Sequence, residues 1–281
     1  MVFYTRLDGT MGKCMEACFV CSVSHYFGIC NFVASVEAQS KNMKKECFQY
    51  LKNPIYWIII GIGLVFRTIL AYFDSLYRSP QFWKLAASFW NKTGSVTIGF
   101  LVLLVVIRRF SYDTETGIFP IINSTAFGRF SLFRDRLIGG GTAAVLSVFL
   151  LYAGNIAISF LWGNQFAVPH SWLCSFSYDT AITIVGTVGF FLMSAMVCDL
   201  TKNHPIAMCL CGLLFASSYF INAGTVNPPD VFWFFRYGFF TELMRGRTIE
   251  SFPLFWCVWY TILIGLTFLL AIRKRKECKE L

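Results

Sequence analysis

Residues 55–73 of the chain read IYWIIIGIGLVFRTILAYF, and Arg67 is the one charged side chain among them. A helix of about 20 predominantly apolar residues is long enough to cross the hydrocarbon core of a bilayer. The rest of the chain has a similar character, because 56% of its 281 residues are hydrophobic and 14% are charged. An average soluble domain has about 25% charged residues. The sequence therefore predicts an all-α integral membrane protein.

Five further apolar stretches have the length of a membrane span. We predict six transmembrane helices in all, over about residues 55–73, 89–107, 137–162, 181–198, 205–221 and 253–272. The second span is the least apolar at its beginning, so Asn91 and Lys92 must lie at a membrane interface. The architecture predicted is thus a polytopic helical bundle, over residues 43–281.

The distribution of basic residues predicts the orientation of these spans. If the N-terminus is cytoplasmic, 17 of the 24 Lys and Arg residues lie on the cytoplasmic side and six lie on the opposite side. Cytoplasmic loops carry an excess of Lys and Arg, so both termini are predicted to be cytoplasmic. The net charge of +9 then follows from membrane topology, and we expect no nucleic-acid partner. Under this topology Cys174 is the one cysteine in an external loop, which favours reduced thiols.

Residues 1–42 form an extension of doubtful status. One reading is that residues 17–36 lie in the membrane interface, although their hydrophobic face is not clean. The alternative is that the natural chain begins at Met43, because residues 43–57 have the basic and aromatic character expected before a first span.

The usual signatures of catalysis are missing from the sequence. It contains neither a complete phosphate-binding loop nor a G-x-S-x-G nucleophile motif. The three histidines are isolated from one another, and no His pair or Cys–His pair has convincing metal-ligand spacing; they are His25, His170 and His204. We therefore expect no enzymatic activity, no cofactor and no metal site in this chain itself.

Arg67 is the one charge that lies well inside a predicted span. A charged side chain at membrane depth is costly and usually faces a cavity or a partner. Two readings remain open at this point. Arg67 extends towards the outer interface or pairs with another helix, or it lines a translocation path.

The segment between the second and third predicted spans is polar and reads YDTETGIFPIINSTAFGRFSLFRDR over residues 112–136. Phe127, Phe130 and Phe133 recur at a spacing of three residues, so they favour one side of a helix. This pattern predicts a short amphipathic helix lying at the cytoplasmic surface. Its other faces carry the basic residues Arg129, Arg134 and Arg136.

The same segment resembles the coupling region of permeases of type-2, exporter-type, ATP-binding cassette transporters. The family pattern is an acid-x-Gly step, usually followed by Thr, then an apolar step and a Ser/Thr-x-x-x-Arg element, usually Ser/Thr-Pro-x-Ser-Arg. A basic residue, usually Lys, then opens the next span. In this chain Glu115 and Gly117 match the first step, residues 125–129 match the second, and Arg136 matches the third. The six spans and cytoplasmic termini of the family also match over residues 43–281. The departures are Ile118 for Thr, Ala126 for Pro, Gly128 for Ser and Arg136 for Lys.

The resemblance implies a function for the chain and roles for its residues. It implies a bacterial cell-membrane permease that exports an amphipathic cargo, such as a peptide, a lipid-like molecule or a drug. ATP and Mg would be bound by a separate cytoplasmic ATPase subunit, and a second permease chain, identical or different, would complete the complex in the lipid membrane. Residues 108–136 would form the coupling segment, in which Phe127, Phe130 and Phe133 pack in a docking cleft and Arg129 and Glu115 form orienting ion pairs.

Two other classes of protein remain as alternatives. The first is a non-transporting membrane scaffold or accessory subunit, and the second is a membrane-embedded enzyme, which the missing catalytic motifs disfavour. The external loop 223–252 also allows two readings. It is rich in Phe and Trp, and after its prolines it forms either short re-entrant helices that gate an outer exit or an interfacial aromatic anchor.

Overall fold

The computed structural model describes residues 48–78, 81–106, 110, 128–164, 169–201, 203–223, 239–247 and 253–277. Within these ranges every element of regular secondary structure is a helix. The chain divides into two compact units after Lys45, and all the described residues belong to the second unit, Glu46–Leu281. The predicted all-α class is confirmed for this part of the chain.

The helices are numbered here in chain order. They are α1 (Pro54–Arg78), α2 (Phe82–Ala87), α3 (Ser95–Leu101), α4 (Gly128–Trp162), α5 (His170–Thr201), α6 (His204–Ala223), α7 (Thr241–Met244) and α8 (Pro253–Glu277). Two π-helical turns, Trp90–Gly94 and Val102–Val106, flank α3 and continue its axis. Together these three elements form one helical rod, called here the second rod.

Three helical stretches are long and apolar enough to cross a membrane. They are Pro54–Tyr77, Leu132–Trp162 and Trp172–Thr201, which overlap the first, third and fourth predicted spans. Two shorter apolar stretches, Pro205–Ser217 and Leu254–Leu269, overlap the fifth and sixth. These helices indicate a membrane protein, while the count of six spans and the side of the termini stay predictions.

Helix α5 is the central helix of the bundle. It contacts α4, α6, α7 and α8, and 56% of its most apolar window is buried, against 33% in each of the other two long helices. Its rings meet those of neighbouring elements, since Phe190 lies 5.4 Å from Phe215 and Phe191 lies 6.1 Å from Phe110 between ring centroids. The apolar core is therefore built around the C-terminal half of α5.

Helix α4 differs from the arrangement that the sequence predicted. We expected a separate surface helix before the third span, but a single helix of 35 residues runs from Gly128 to Trp162. The glycines at 139–141 lie within this helix. Gly140 packs directly beneath the ring of Phe191, and a Cβ at this position would lie 2.7 Å from that ring. The missing side chain of Gly140 thus allows α4 to pack closely against α5 without a break in the helix.

The second predicted span is also less regular than expected. The chain turns at Ser88, whose hydroxyl donates to the Leu85 carbonyl oxygen at 2.9 Å, and then enters the π-helical turn Trp90–Gly94. Single π-helical turns within helices are rare and occur often at functional sites. Asn91 and Lys92, which the sequence placed at an interface, lie in this turn.

Candidate functional site

The guanidinium of Arg67 is fully buried inside the bundle. Its Nε donates to Asn155 Oδ1 at 2.9 Å, and its Nη2 donates to the Leu85 carbonyl oxygen at 2.5 Å and lies 3.5 Å from Ser159 Oγ. Among the described residues, Nη1 finds no hydrogen-bond partner. Arg67 is therefore a buried cation held by neutral oxygen atoms.

These contacts connect α1 and α4 to the end of the short helix α2. Asn155 Nδ2 donates to the Ala86 carbonyl oxygen at 3.1 Å, next to the Leu85 carbonyl that Arg67 binds. Carbonyl groups in the last turn of a helix lack partners within the helix, and a cation near that end is favourable. The Arg67 cluster, defined as Arg67, Asn155 and Ser159, thus holds the turn between α2 and the second rod.

The position of Arg67 narrows the readings that the sequence left open. It lies near the middle of the membrane-length stretch Pro54–Tyr77, and its side chain is buried, so it does not extend to the outer interface. Within the described ranges no carboxylate lies within 4 Å of its guanidinium, and its hydrogen-bond acceptors are an amide, a hydroxyl and a carbonyl. Its assignment to a translocation path stays a prediction.

A second cluster lies where residues 239–247 pack against the middle of α5. A Cβ on Gly186 would lie 2.6 Å from the Met244 backbone nitrogen, and a Cβ on Gly189 would overlap the ring of Phe240. These two glycines, one turn apart, allow the backbone of α7 to approach α5 closely. Part of the predicted external loop is therefore buried in the bundle.

The backbone of this segment is strained at its entry. Phe240 has a φ of 63°, a conformation that costs a non-glycine residue on the order of 1–3 kcal/mol and persists only when its surroundings enforce it. The ring of Phe240 is buried, stacks on Tyr260 of α8 at a centroid distance of 4.3 Å and packs against Gly189. Gly246, with a φ of 71°, ends the segment with a residue suited to that conformation.

The segment carries a buried ion pair. Arg245 Nη1 lies 2.6 Å from Glu242 Oε1, and the two side chains are 5% and 3% exposed. Arg247 Nη1 lies 3.9 Å from the other oxygen of Glu242, and its side chain is half exposed. Buried charges are costly to take out of water, and they are retained where they are closely paired. The pair, together with Gly186 and Gly189, called here the glycine seat, is therefore the second candidate site.

The structure describes part of the predicted coupling segment. Phe133 is buried and packs edge-on against Phe110 at 6.0 Å between centroids, and Arg136 is also buried. Phe133 therefore contacts the chain's own bundle, where the sequence assigned it to a cleft on a partner. Arg129 and Phe130 lie in the first turn of α4. The other predicted coupling residues, Glu115, Gly117 and Phe127, lie outside the described residues.

Sequence reasoning missed two of the features described above. Asn155 is a lone amide in an apolar stretch, and this was the available signal for a partner of Arg67. Glu242 and Arg245 have the i, i+3 spacing of a helical ion pair, but they stand in a stretch too polar to span a membrane as a whole. Their burial depends on glycines of a distant helix, which no local pattern reveals.

The described residues bring together no group of three His, Cys, Asp or Glu side chains that could hold a metal ion. No profile of a known protein family matches the chain, and no curated protein matches it significantly. Its function must therefore be inferred from its own residues and their geometry.

Proposed function

We propose that the chain is the membrane permease of an ATP-driven exporter for an amphipathic cargo. In this proposal six spans cross a bacterial cell membrane with both termini in the cytoplasm. A separate cytoplasmic ATPase binds ATP and Mg, and a second permease chain completes the translocation unit. The proposal rests on the resemblance of residues 112–136 to a coupling segment and on one structural observation.

That observation is the continuity of α4. Its 35 residues correspond to about 52 Å of helix, whereas the hydrocarbon core of a bilayer is about 30 Å thick. The helix begins at Gly128, within the Ser/Thr-x-x-x-Arg element, and runs without interruption to Trp162. A rigid helix that connects a docking segment directly to the bundle is suited to transmit movement of a partner into the membrane.

Contacts at the base of α4 extend this connection to the central helix. Phe133 packs on Phe110, and Phe110 packs on Phe191 of α5, with centroid distances of 6.0 Å and 6.1 Å. Packed interiors respond to displacement by switching arrangement because they deform little. Movement of the first turns of α4 is thus expected to shift α5. The segment that carries the Glu242–Arg245 pair packs against α5, so it is expected to move as well.

The proposal treats α4 as a lever, that is, a rigid helix that transmits movement from the docking segment to the bundle. A break in α4 at the junction of these two parts tests it. Ile138 lies between the docking segment and the apolar part of α4, and its side chain is partly exposed. Proline at this position removes a backbone hydrogen bond and kinks the helix, at a cost of about 3 kcal/mol or more. The matched control is Ile138→Ala, which shortens the same side chain and leaves the helix intact.

The experiment uses the complex with its native ATPase in lipid nanodiscs, with an environment-sensitive fluorophore on Cys174 in a variant that has no other cysteine. ATP is expected to change the emission in the Ile138→Ala complex. In the Ile138→Pro complex ATP turnover continues, but the emission does not respond. Equal responses in the two complexes would contradict the lever, and the absence of any associated ATPase would favour the scaffold or accessory subunit.

A further inference from the structure

A groove runs along the outer face of the bundle between α1 and the second rod. Its volume is about 580 Å³, and its walls extend from Ile59 to Leu70 on α1 and from Lys92 to Leu104 on the second rod. Gly63 and Thr97 come into direct contact at its floor, because a Cβ on Gly63 would overlap the threonine side chain. We call this feature the lateral groove.

The lateral groove is polar at one end. Of its polar lining side chains, Lys92 and Thr93 lie near the beginning of the second rod. Thr97 lies one turn further along, and its hydroxyl donates to the Thr93 carbonyl oxygen at 2.9 Å. The Thr93 hydroxyl is buried and has no hydrogen-bond partner among the described residues. Lys92 Nζ, partly exposed, lies 3.1 Å from Asp74 Oδ2 and has further donor capacity. This end therefore offers an ammonium group and a free hydroxyl donor to an acceptor.

The remainder of the groove is apolar and opens sideways. Ile62, Phe66 and Phe100 line it, and each is more than half exposed. From Ile59 to Leu70 the wall is about 16 Å long, close to half of the roughly 30 Å hydrocarbon core. In a protein that crosses the membrane, this opening faces acyl chains, so the occupant enters from one leaflet of the bilayer.

We propose that the lateral groove binds one acyl chain of a membrane phospholipid, with the lipid phosphate at Lys92 and Thr93. The apolar walls complement the acyl chain, and the phosphate accepts hydrogen bonds from the ammonium and hydroxyl groups. Asp74, beside Lys92, keeps the ammonium at the mouth of the groove. The proposal concerns the chain in its membrane and does not require that it transports a cargo.

The test is native mass spectrometry of the full chain, purified in mild detergent and titrated with dioleoyl phosphatidylglycerol. Ile62→Trp places a large side chain in the groove. Ile69→Trp places the same side chain on an exposed position of the same helix that does not line the groove. We expect one tightly retained phospholipid per chain for the parent and for Ile69→Trp, and at least tenfold weaker binding for Ile62→Trp.

Lys92→Gln provides a second variant that leaves the apolar groove unfilled. Loss of a charge-assisted hydrogen bond to phosphate is expected to weaken binding on the order of tenfold. Equal retention by Ile62→Trp and Ile69→Trp would overturn the proposal, because the lipid would then belong to the general lipid shell. A chain dimer that Ile62→Trp alone disrupts would also overturn it, because the groove would then be an interface between copies.

Discussion

Removal of Arg245 is predicted to destabilise the protein far more than removal of Arg247. Both arginines contact Glu242, but the Arg245 pair is 2.6 Å long and almost fully buried, whereas the Arg247 pair is 3.9 Å long and half exposed on the arginine side. Loss of one member of a buried ion pair costs about 3–5 kcal/mol, since the other charge remains buried. An exposed pair contributes about 0–1 kcal/mol.

The comparison uses Arg245→Met and Arg247→Met, which remove the charge and retain much of the apolar volume. For a domain of about 150–250 residues, 1 kcal/mol corresponds to roughly 2–4 °C in Tm. Arg245→Met is therefore expected to lower Tm by roughly 6–20 °C, and Arg247→Met by at most about 4 °C. The assay is thermal unfolding of the detergent-solubilised chain, followed by intrinsic tryptophan fluorescence.

A double variant distinguishes loss of the pair from a general loss of packing. Glu242→Gln in the Arg245→Met background removes the buried carboxylate that has lost its close partner, so part of the lost Tm should return. Similar Tm values for Arg245→Met and Arg247→Met would refute the reasoning. A double variant less stable than Arg245→Met would do the same, because the buried charge would then not be the cause.

Three further predictions concern other parts of the bundle. Gly186→Ala is expected to cost about 1–3 kcal/mol by overpacking, whereas Gly61→Ala, with open space around its Cβ, should be neutral or stabilising; equal unfolding free energies would contradict the glycine seat. Arg67→Lys loses the forked donor geometry and should destabilise the protein by about 1–3 kcal/mol. Ser159→Ala should cost less, because the Ser159 hydroxyl is 3.5 Å from the guanidinium. The opposite order of the two variants in thermal unfolding would count against the Arg67 cluster. A membrane-impermeant maleimide should label Cys174 from outside intact cells, with Cys174→Ser as the control, and labelling only after lysis would reverse the predicted orientation.

The helical class and the first span were accessible from the sequence because they depend on local information. The apolar length of residues 55–73 by itself requires a helix that can cross a membrane. The structure extends this helix to Arg78, beyond the apolar stretch, because adding residues to a formed helix is much easier than starting one, also where the residues are polar. The sequence therefore indicated the existence of the element better than its end.

The clusters of the candidate site were beyond a local reading because their partners are distant in sequence. Arg67 meets Asn155, which is 88 residues away, and Gly186 meets Met244. Apolar periodicity predicts which residues avoid water, but in a membrane the outer face of a helix is apolar as well. The pattern therefore carries little information about which helix faces meet.

The predicted coupling segment shows a related difficulty. The spacing of Phe127, Phe130 and Phe133 indicated an apolar face, but spacing does not tell whether that face meets a partner or the chain's own core. For Phe133 the structure places the ring against Phe110. The surface helix was expected to be separate from the third span, whereas the structure has one continuous helix from Gly128 to Trp162, and Gly140 within it packs on Phe191 of α5.

The central claim is that this chain works with a cytoplasmic ATPase through residues 108–136. The most direct test is purification of the tagged chain from native membranes in mild detergent, with mass spectrometry of the associated proteins. The account predicts an ATP-binding cassette ATPase in stoichiometric amount, lost from Arg129→Glu and retained by Lys202→Glu, a charge reversal on the same predicted face. A chain that is recovered alone, under conditions in which a known transporter complex survives, would contradict the claim.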